Sequence, residues 1–237
     1  MKRLVQPELL DELASEDPLA RHSRNDLQRL NTWMGNSRIL SHHLQKVLGA
    51  PKAWRLLDLG AGDGQFMWQV AKRLPQEWKG TTLALLDKQC GISPLASHGL
   101  ESLGWQVRSL CADANAWLQN APINYWSAMC ANLFLHHFTE EDLRRLLRLV
   151  SEHTGIFIAV EPRRSPMALA ASRMVGLIGC NRVTRHDAVV SVRAGFIGND
   201  LSQLWPKNGG WLLEERPAGL FSHLFVARRN GEHQFSF

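Results

Sequence analysis

Between Trp54 and Phe66 the chain reads Trp-Arg-Leu-Leu-Asp-Leu-Gly-Ala-Gly-Asp-Gly-Gln-Phe, and Val70 and Leu74 follow at helical spacing. Few folds accommodate this segment. An apolar run ends at Asp58, glycines stand at 60, 62 and 64, and an amphipathic helix begins at once. A strand, a tight turn and a helix N-terminus in that order present backbone N–H groups to a ligand and let the main chain approach it closely. A dinucleotide turn would read G-x-G-x-x-G. Here the third glycine comes one position early, which argues against a nicotinamide oxidoreductase. An ordinary tight strand-to-helix connection remains open on this segment alone.

The rest of the chain alternates strands and helices. Thr82–Asp87 is an apolar run ending in an acid, 23 residues after Gly64. Trp105–Leu110 precedes Asp113 and Ala114, Trp126–Leu133 contains Asn132 and precedes His136-His137, and Gly155–Val160 precedes Glu161. Each polar residue falls at the carboxyl end of its strand, where open α/β sheets bind ligands. Thr139-Glu140-Glu141-Asp142 opens a helix as a capping box, with Leu143, Leu146, Leu147 and Val150 on one face. This pattern predicts a doubly wound, mostly parallel sheet. Trp211–Glu215 and Ser222–Arg228, joined across 216–219, bring the strand count to seven as a closing antiparallel pair.

Residues 1–50 read as an N-terminal helical extension ahead of an α/β domain at 51–237. Ser23-x-x-Asp26 offers a cap for a helix carrying Leu27, Leu30 and Met34 and stopped at Gly35; a second carries Leu40, Leu44, Val47 and Leu48 and stops at Gly49-Ala50-Pro51. This extension is expected to cover the site, to shield the sheet, or to form a homodimer interface.

The turn at Asp58–Gly64 resembles motif I of the class I S-adenosylmethionine-dependent methyltransferases, and the resemblance extends over residues 52–230. It implies a Rossmann-like methyltransferase fold with S-adenosylmethionine as cofactor and S-adenosylhomocysteine as product. Asp58, Gly60, Ala61, Gly62 and Gly64 would form the cofactor turn, whose acid suits the cofactor's ammonium group. Asp87 and Lys88 would meet the ribose, Asp113 and Ala114 the adenine, and Asn132 the end of the fourth strand. A narrower likeness lies in Thr184–Phe196 together with Asn31-x-Trp33-x-Gly35, which are similar to bacterial small-molecule methyltransferases associated with type III polyketide synthases. That likeness implies O-methylation of a phenolic, resorcinol-like acceptor, with C-methylation of an aromatic or quinone precursor as the alternative.

Catalytic candidates are His136, His137 and His186. A histidine titrates near neutrality and can take a proton from a phenol, although Leu-His-His-Phe reads equally as a strand-to-helix turn and Thr184 as a helix cap. Trp33, Met34, Arg38 and Arg185 are candidates for the acceptor pocket, and 163–205 for a lid. The arginines of that lid would lie on a membrane surface, admit a lipophilic, acidic substrate, or form the solvated face of a packed helix. A net charge of +5 fits a nucleic-acid methyltransferase, but the basic residues are scattered and no Asn/Asp-Pro-Pro-aromatic motif follows the fourth strand. A non-catalytic cofactor-binding partner also remains open. No acid/Asn cluster stands near Glu161 in sequence, so no metal is expected. Cys90, Cys111, Cys130 and Cys180 form no C-x-x-C pair and are read as buried thiols. With neither a signal-peptide core nor a spanning segment, a cytoplasmic protein is expected.

Overall fold

The computed structural model describes residues 1–14, 16–49, 53–123 and 125–230. Seven strands form one sheet: β1 (Arg55–Leu59), β2 (Thr82–Asp87), β3 (Gln106–Cys111), β4 (Ala128–Asn132), β5 (Ile156–Pro162), β6 (Trp211–Ala218) and β7 (Ser222–Arg229). Their order is β3-β2-β1-β4-β5-β7-β6. The first five strands are parallel, whereas β7 runs antiparallel to both β5 and β6. The chain winds outward from β1 to β3 and then crosses back to lay β4 beside β1. That reversal opens a crevice at the carboxyl ends of β1 and β4.

Strand periodicity sorts the core onto two faces. Leu56, Leu83, Leu85, Cys130, Ile158 and Val160 pack with helices α3 (Asn36–Leu48) and α4 (Gln65–Ala71). The alternate residues Leu57, Leu86, Met129, Ala131, Phe157 and Ala159 pack with α6 (Ala114–Leu118) and α7 (Glu140–His153). Thr139 caps α7 by accepting from the Asp142 N–H, as its capping box predicts.

The N-terminal region departs from expectation at its cap. Helix α2 spans Pro18–Met34, begins at Asp17, whose carboxylate accepts the Leu19 N–H at 2.7 Å, and carries proline in its first turn. Ser23 and Asp26 instead lie buried at mid-helix and clamp α9 (Arg182–Ala194). Ser23 donates to Asn181 Oδ1, while Asp26 accepts from the Asn181 N–H and the Thr184 hydroxyl. Asn181, not Thr184, therefore caps α9. Gly35 ends α2 and Gly49 ends α3 as expected, both at positive φ; Ala50 and Pro51 lie outside the described residues.

The cysteine expectation holds only in part. Cys130 and Cys180 are buried free thiols, but Cys90 and Cys111 are exposed at the ends of β2 and β3 and form a disulfide. The parallel β2–β3 register sets Asp87 opposite Cys111, which brings the two sulfurs together although 21 residues separate them. Among the described residues no helix is long and apolar enough to cross a membrane.

Candidate functional site

A cavity of about 810 Å³ opens over the β1–β4 crevice. Its floor is the glycine turn. The Gly60 and Ala61 N–H groups donate to the Leu86 carbonyl, tying the turn to β2, and the Gly62 N–H donates to Asp87 Oδ2 at 2.8 Å. Gly60 and Gly62 both have positive φ, but for different reasons. A Cβ at Gly60 would fall within the Phe134 ring, whereas one at Gly62 would meet no atom of the protein and would project into open space. Asp58, on the floor, is buried and its Oδ1 has no hydrogen-bond partner. Burial, reinforced by the charge of Asp87, raises its pKa well above the usual carboxylate range. An orphaned acid beneath an open glycine turn is suited to a cationic ligand group.

Of the ten residues assigned to the cofactor from sequence, Asp58, Gly60, Ala61, Gly62, Asp87 and Asn132 line this cavity, while Gly64, Lys88, Asp113 and Ala114 do not. Asp113 caps α6 through the Ala116 N–H and pairs with Lys88 at 2.9 Å. The backbone bond from Ala116, followed by that from Lys88, lowers its pKa. Asn132 donates to Asn31 at 3.3 Å and accepts from Asn36 at 2.9 Å, so its amide ties β4 to the N-terminal helices.

The opposite wall is assembled from distant parts of the chain. Glu161 at the end of β5 is fully buried and accepts the Phe134, Leu135 and His136 N–H groups, shaping the turn in which Leu133 takes φ +51°. Its carboxylate also bonds His136 Nδ1 at 2.9 Å. Arg3 donates to the carbonyls of His136, Phe138 and Ala194 and lies over the Phe196 ring, which straps the N-terminus across this turn. The strap delivers Glu8 to His136 Nε2 at 3.3 Å and to His137 Nε2 at 3.5 Å. Burial works to lower the His136 pKa, but Glu161 and Glu8 outweigh it and push the value up to about 9. Burial likewise opposes ionisation of Glu8, yet the two imidazoles hold its carboxyl well below the usual range. Donor atoms of Glu8, His136 and His137 all lie within 4.8 Å of one another and could hold a cation.

Sequence reasoning placed His136 and His137 here but missed Glu8, Asn31, Asn36 and Ser191. Glu8 stands 128 positions from His136, and of the four only Asn31 and Ser191 fall within the segments that carry the narrower likeness. His186 does not join the cluster. It is half exposed and bonds Asp187, whose carboxylate accepts the Leu9 and Leu10 N–H groups. Of the four acceptor-pocket candidates only Trp33 lines the cavity; Met34, Arg38 and Arg185 lie outside it. From 163–205 only Ser191 reaches it, and Arg173, Arg182 and Arg185 are exposed to solvent.

The fold is that of the Rossmann-like methyltransferases. The pyocyanin biosynthetic protein PhzM superposes with a TM-score of 0.60 at 20% identity, covering 94% of this chain and 62% of that one. An N,N-8-amino-8-demethyl-D-riboflavin dimethyltransferase from Streptomyces davawensis gives 0.58 at 17% identity, with 94% and 62% covered. The chain thus spans about three fifths of the length of these two proteins. A 1,6-didemethyltoxoflavin-N1-methyltransferase from Burkholderia thailandensis, solved with S-adenosylhomocysteine, gives 0.55 at 18% identity, with 97% and 94% covered. No protein-family model and no curated protein sequence matches the chain.

Proposed function

We propose that this protein transfers a methyl group from S-adenosylmethionine to a small aromatic acceptor. The observation that carries the reading is Asp58, a buried carboxylate with an unpartnered oxygen beneath the glycine turn. When bound, the cofactor supplies an electrophilic methyl on a sulfonium, so the protein's contribution is placement and exclusion of water. Asp58 would receive the cofactor's ammonium, Gly62 would leave room for its chain, and Asp87 would accept from the ribose hydroxyls. The helices of residues 1–50 would act as the cap, with Trp33 at the cavity wall.

The acceptor would lie against Glu8, His136 and His137. His186, outside the cavity, has no part in this scheme. A cluster of imidazoles and a carboxylate that can hydrogen-bond a hydroxyl favours an oxygen acceptor over a bare ring carbon, and the acceptor would be a phenolic, resorcinol-like polyketide. Arg182 and Arg185 of α9 do not line the cavity, so its lining offers them to no acceptor, and the reading is of a small acceptor rather than nucleic acid.

Calorimetric titration with S-adenosylhomocysteine, with NAD in parallel, tests the cofactor assignment. One-to-one binding of the former alone is expected. Binding of NAD alone, or of neither, would overturn the reading.

A further inference from the structure

The contacts of His136 and His137 fall into two length classes. Their Nδ1 atoms stand 2.9 Å from Glu161 and 3.0 Å from the Phe134 carbonyl, ordinary hydrogen-bond lengths. Their Nε2 atoms stand 3.3 and 3.5 Å from the two oxygens of Glu8. Those separations exceed the roughly 2.7–2.9 Å of a charge-assisted N–H···O⁻ bond. With the donor atoms of Glu8, His136 and His137 all within 4.8 Å of one another, they leave room for an ion held by ligand bonds of about 2.0–2.2 Å.

The surroundings fit the same geometry. With each Nδ1–H given to an acceptor, an ion that displaced the Nε2 protons would meet two Nε2 lone pairs turned toward Glu8. A carboxylate or carbonyl behind each ring is the arrangement that orients metal-bound histidines. The Ser191 hydroxyl donates to Glu8 Oε1, which fixes the carboxylate from its other side. Glu8 and Glu161 bring two carboxylates against the imidazoles, and Asp11 stands 3.9 Å from His137, so acidic groups surround the two rings. All three donor residues line the cavity, so an ion between them keeps one face toward it.

We infer that Glu8, His136 and His137 form a binding site for a divalent transition-metal ion of the zinc type. Three protein ligands with one position left to solvent or substrate is the coordination of reactive rather than structural zinc sites. The role of the ion rests on the methyltransferase reading: beside the acceptor it would lower the pKa of the hydroxyl to be methylated, which needs no free histidine as base. The site itself does not depend on that reading.

The test uses the full chain, stripped with a chelator and titrated with Zn²⁺ against a chromogenic competitor, with Co²⁺ as a spectroscopic substitute. One equivalent of Zn²⁺ should bind, and Co²⁺ should give the intense visible absorption of a four-coordinate site. Glu8→Gln and His137→Gln should each weaken Zn²⁺ binding at least a hundredfold and abolish that absorption. S-adenosylhomocysteine titrations of the same samples report whether the fold and the cofactor pocket survive. Failure of Zn²⁺ to bind to protein that still takes S-adenosylhomocysteine would overturn the metal site alone. Zn²⁺ binding without S-adenosylhomocysteine binding would sustain the site and remove the methyltransferase reading. Undiminished binding in both variants would place the ion elsewhere, for instance at the adjacent His42 and His43, and would also overturn the proposal.

Discussion

The two walls of the cavity are built in opposite ways. The floor comes from short-range sequence: Asp58, Gly60 and Gly62 belong to one turn, and Asp87 closes it from the neighbouring strand. The far wall joins Glu8, Asn31, His136, Glu161 and Ser191 from five separate places in the chain. A turn can be replaced or reshaped as a unit, whereas a wall assembled over long range depends on every contributor arriving. The two walls should therefore respond differently to substitution, the floor mainly through ligand binding and the far wall mainly through stability.

The largest effect is expected at Glu161. Its carboxylate accepts three backbone N–H groups and one imidazole with no exposure to water. Glu161→Ala would leave those donors and the His136 cation without their partner. Loss of one member of a buried pair costs about 3–5 kcal/mol, so denaturant melts should show a destabilisation of that order. A change below about 1 kcal/mol, the scale of one hydrogen bond, would mean that water replaces the carboxylate and that the far wall is far looser than its contacts indicate.

The glycine turn sharpens the contrast within a single motif. Gly60→Ala combines a left-handed backbone with a clash against Phe134, and should destabilise the fold by more than the ~1–2 kcal/mol that the left-handed conformation alone costs. Gly62→Ala carries only the backbone cost, yet its methyl enters the space reserved for the ligand. It should lower S-adenosylhomocysteine affinity at least tenfold, about 1.4 kcal/mol. Equal effects of the two substitutions on melting temperature and affinity would erase the distinction between a packing glycine and a ligand-facing one.

The same division decides what could be read from the sequence. The mostly parallel sheet with its closing antiparallel pair, the turn and the acids at strand ends were legible because apolar runs that end in polar residues and the glycine spacing are local signals. Thr184 reads as the cap of α9, but Asn181 fills that place, and the Thr184 hydroxyl is committed to Asp26 on another helix. Ser23 and Asp26 imitated a capping pair while serving as a buried interhelical clamp. The Cys90–Cys111 bridge depended on β2–β3 register, and Glu8 on where a strap anchored by Arg3 crosses the β4 turn. No periodicity records a contact across 128 positions.

Asp58 links stability to binding through its proton. Its folded pKa lies above the unfolded value near 3.9. The folded state therefore binds the extra proton between those two values, and stability falls as pH rises from about 4 to the folded pKa. Asp58→Asn should remove that slope and stabilise the ligand-free protein at neutral pH, while weakening S-adenosylhomocysteine binding. If the ammonium of the ligand pairs with the ionised carboxylate, binding to the wild type should also release up to one proton below the raised pKa. Calorimetry in buffers of different ionisation enthalpy measures that release, and identical heats in all buffers would exclude Asp58 as the ammonium's partner.

The smallest effect is expected at Asp113, where sequence and structure give different assignments. The resemblance gives this residue to the adenine, yet its carboxylate caps α6 and pairs with Lys88 outside the cavity. Lys88 is largely exposed, and a solvent-facing pair of this kind contributes little. Asparagine serves as an N-cap about as well as aspartate. Asp113→Asn should therefore leave both the melting temperature and S-adenosylhomocysteine affinity within experimental error. A tenfold loss of affinity without loss of stability would show that Asp113 turns from Lys88 to the adenine when ligand arrives. The cofactor floor would then extend to the end of β3, and part of it would form only on binding.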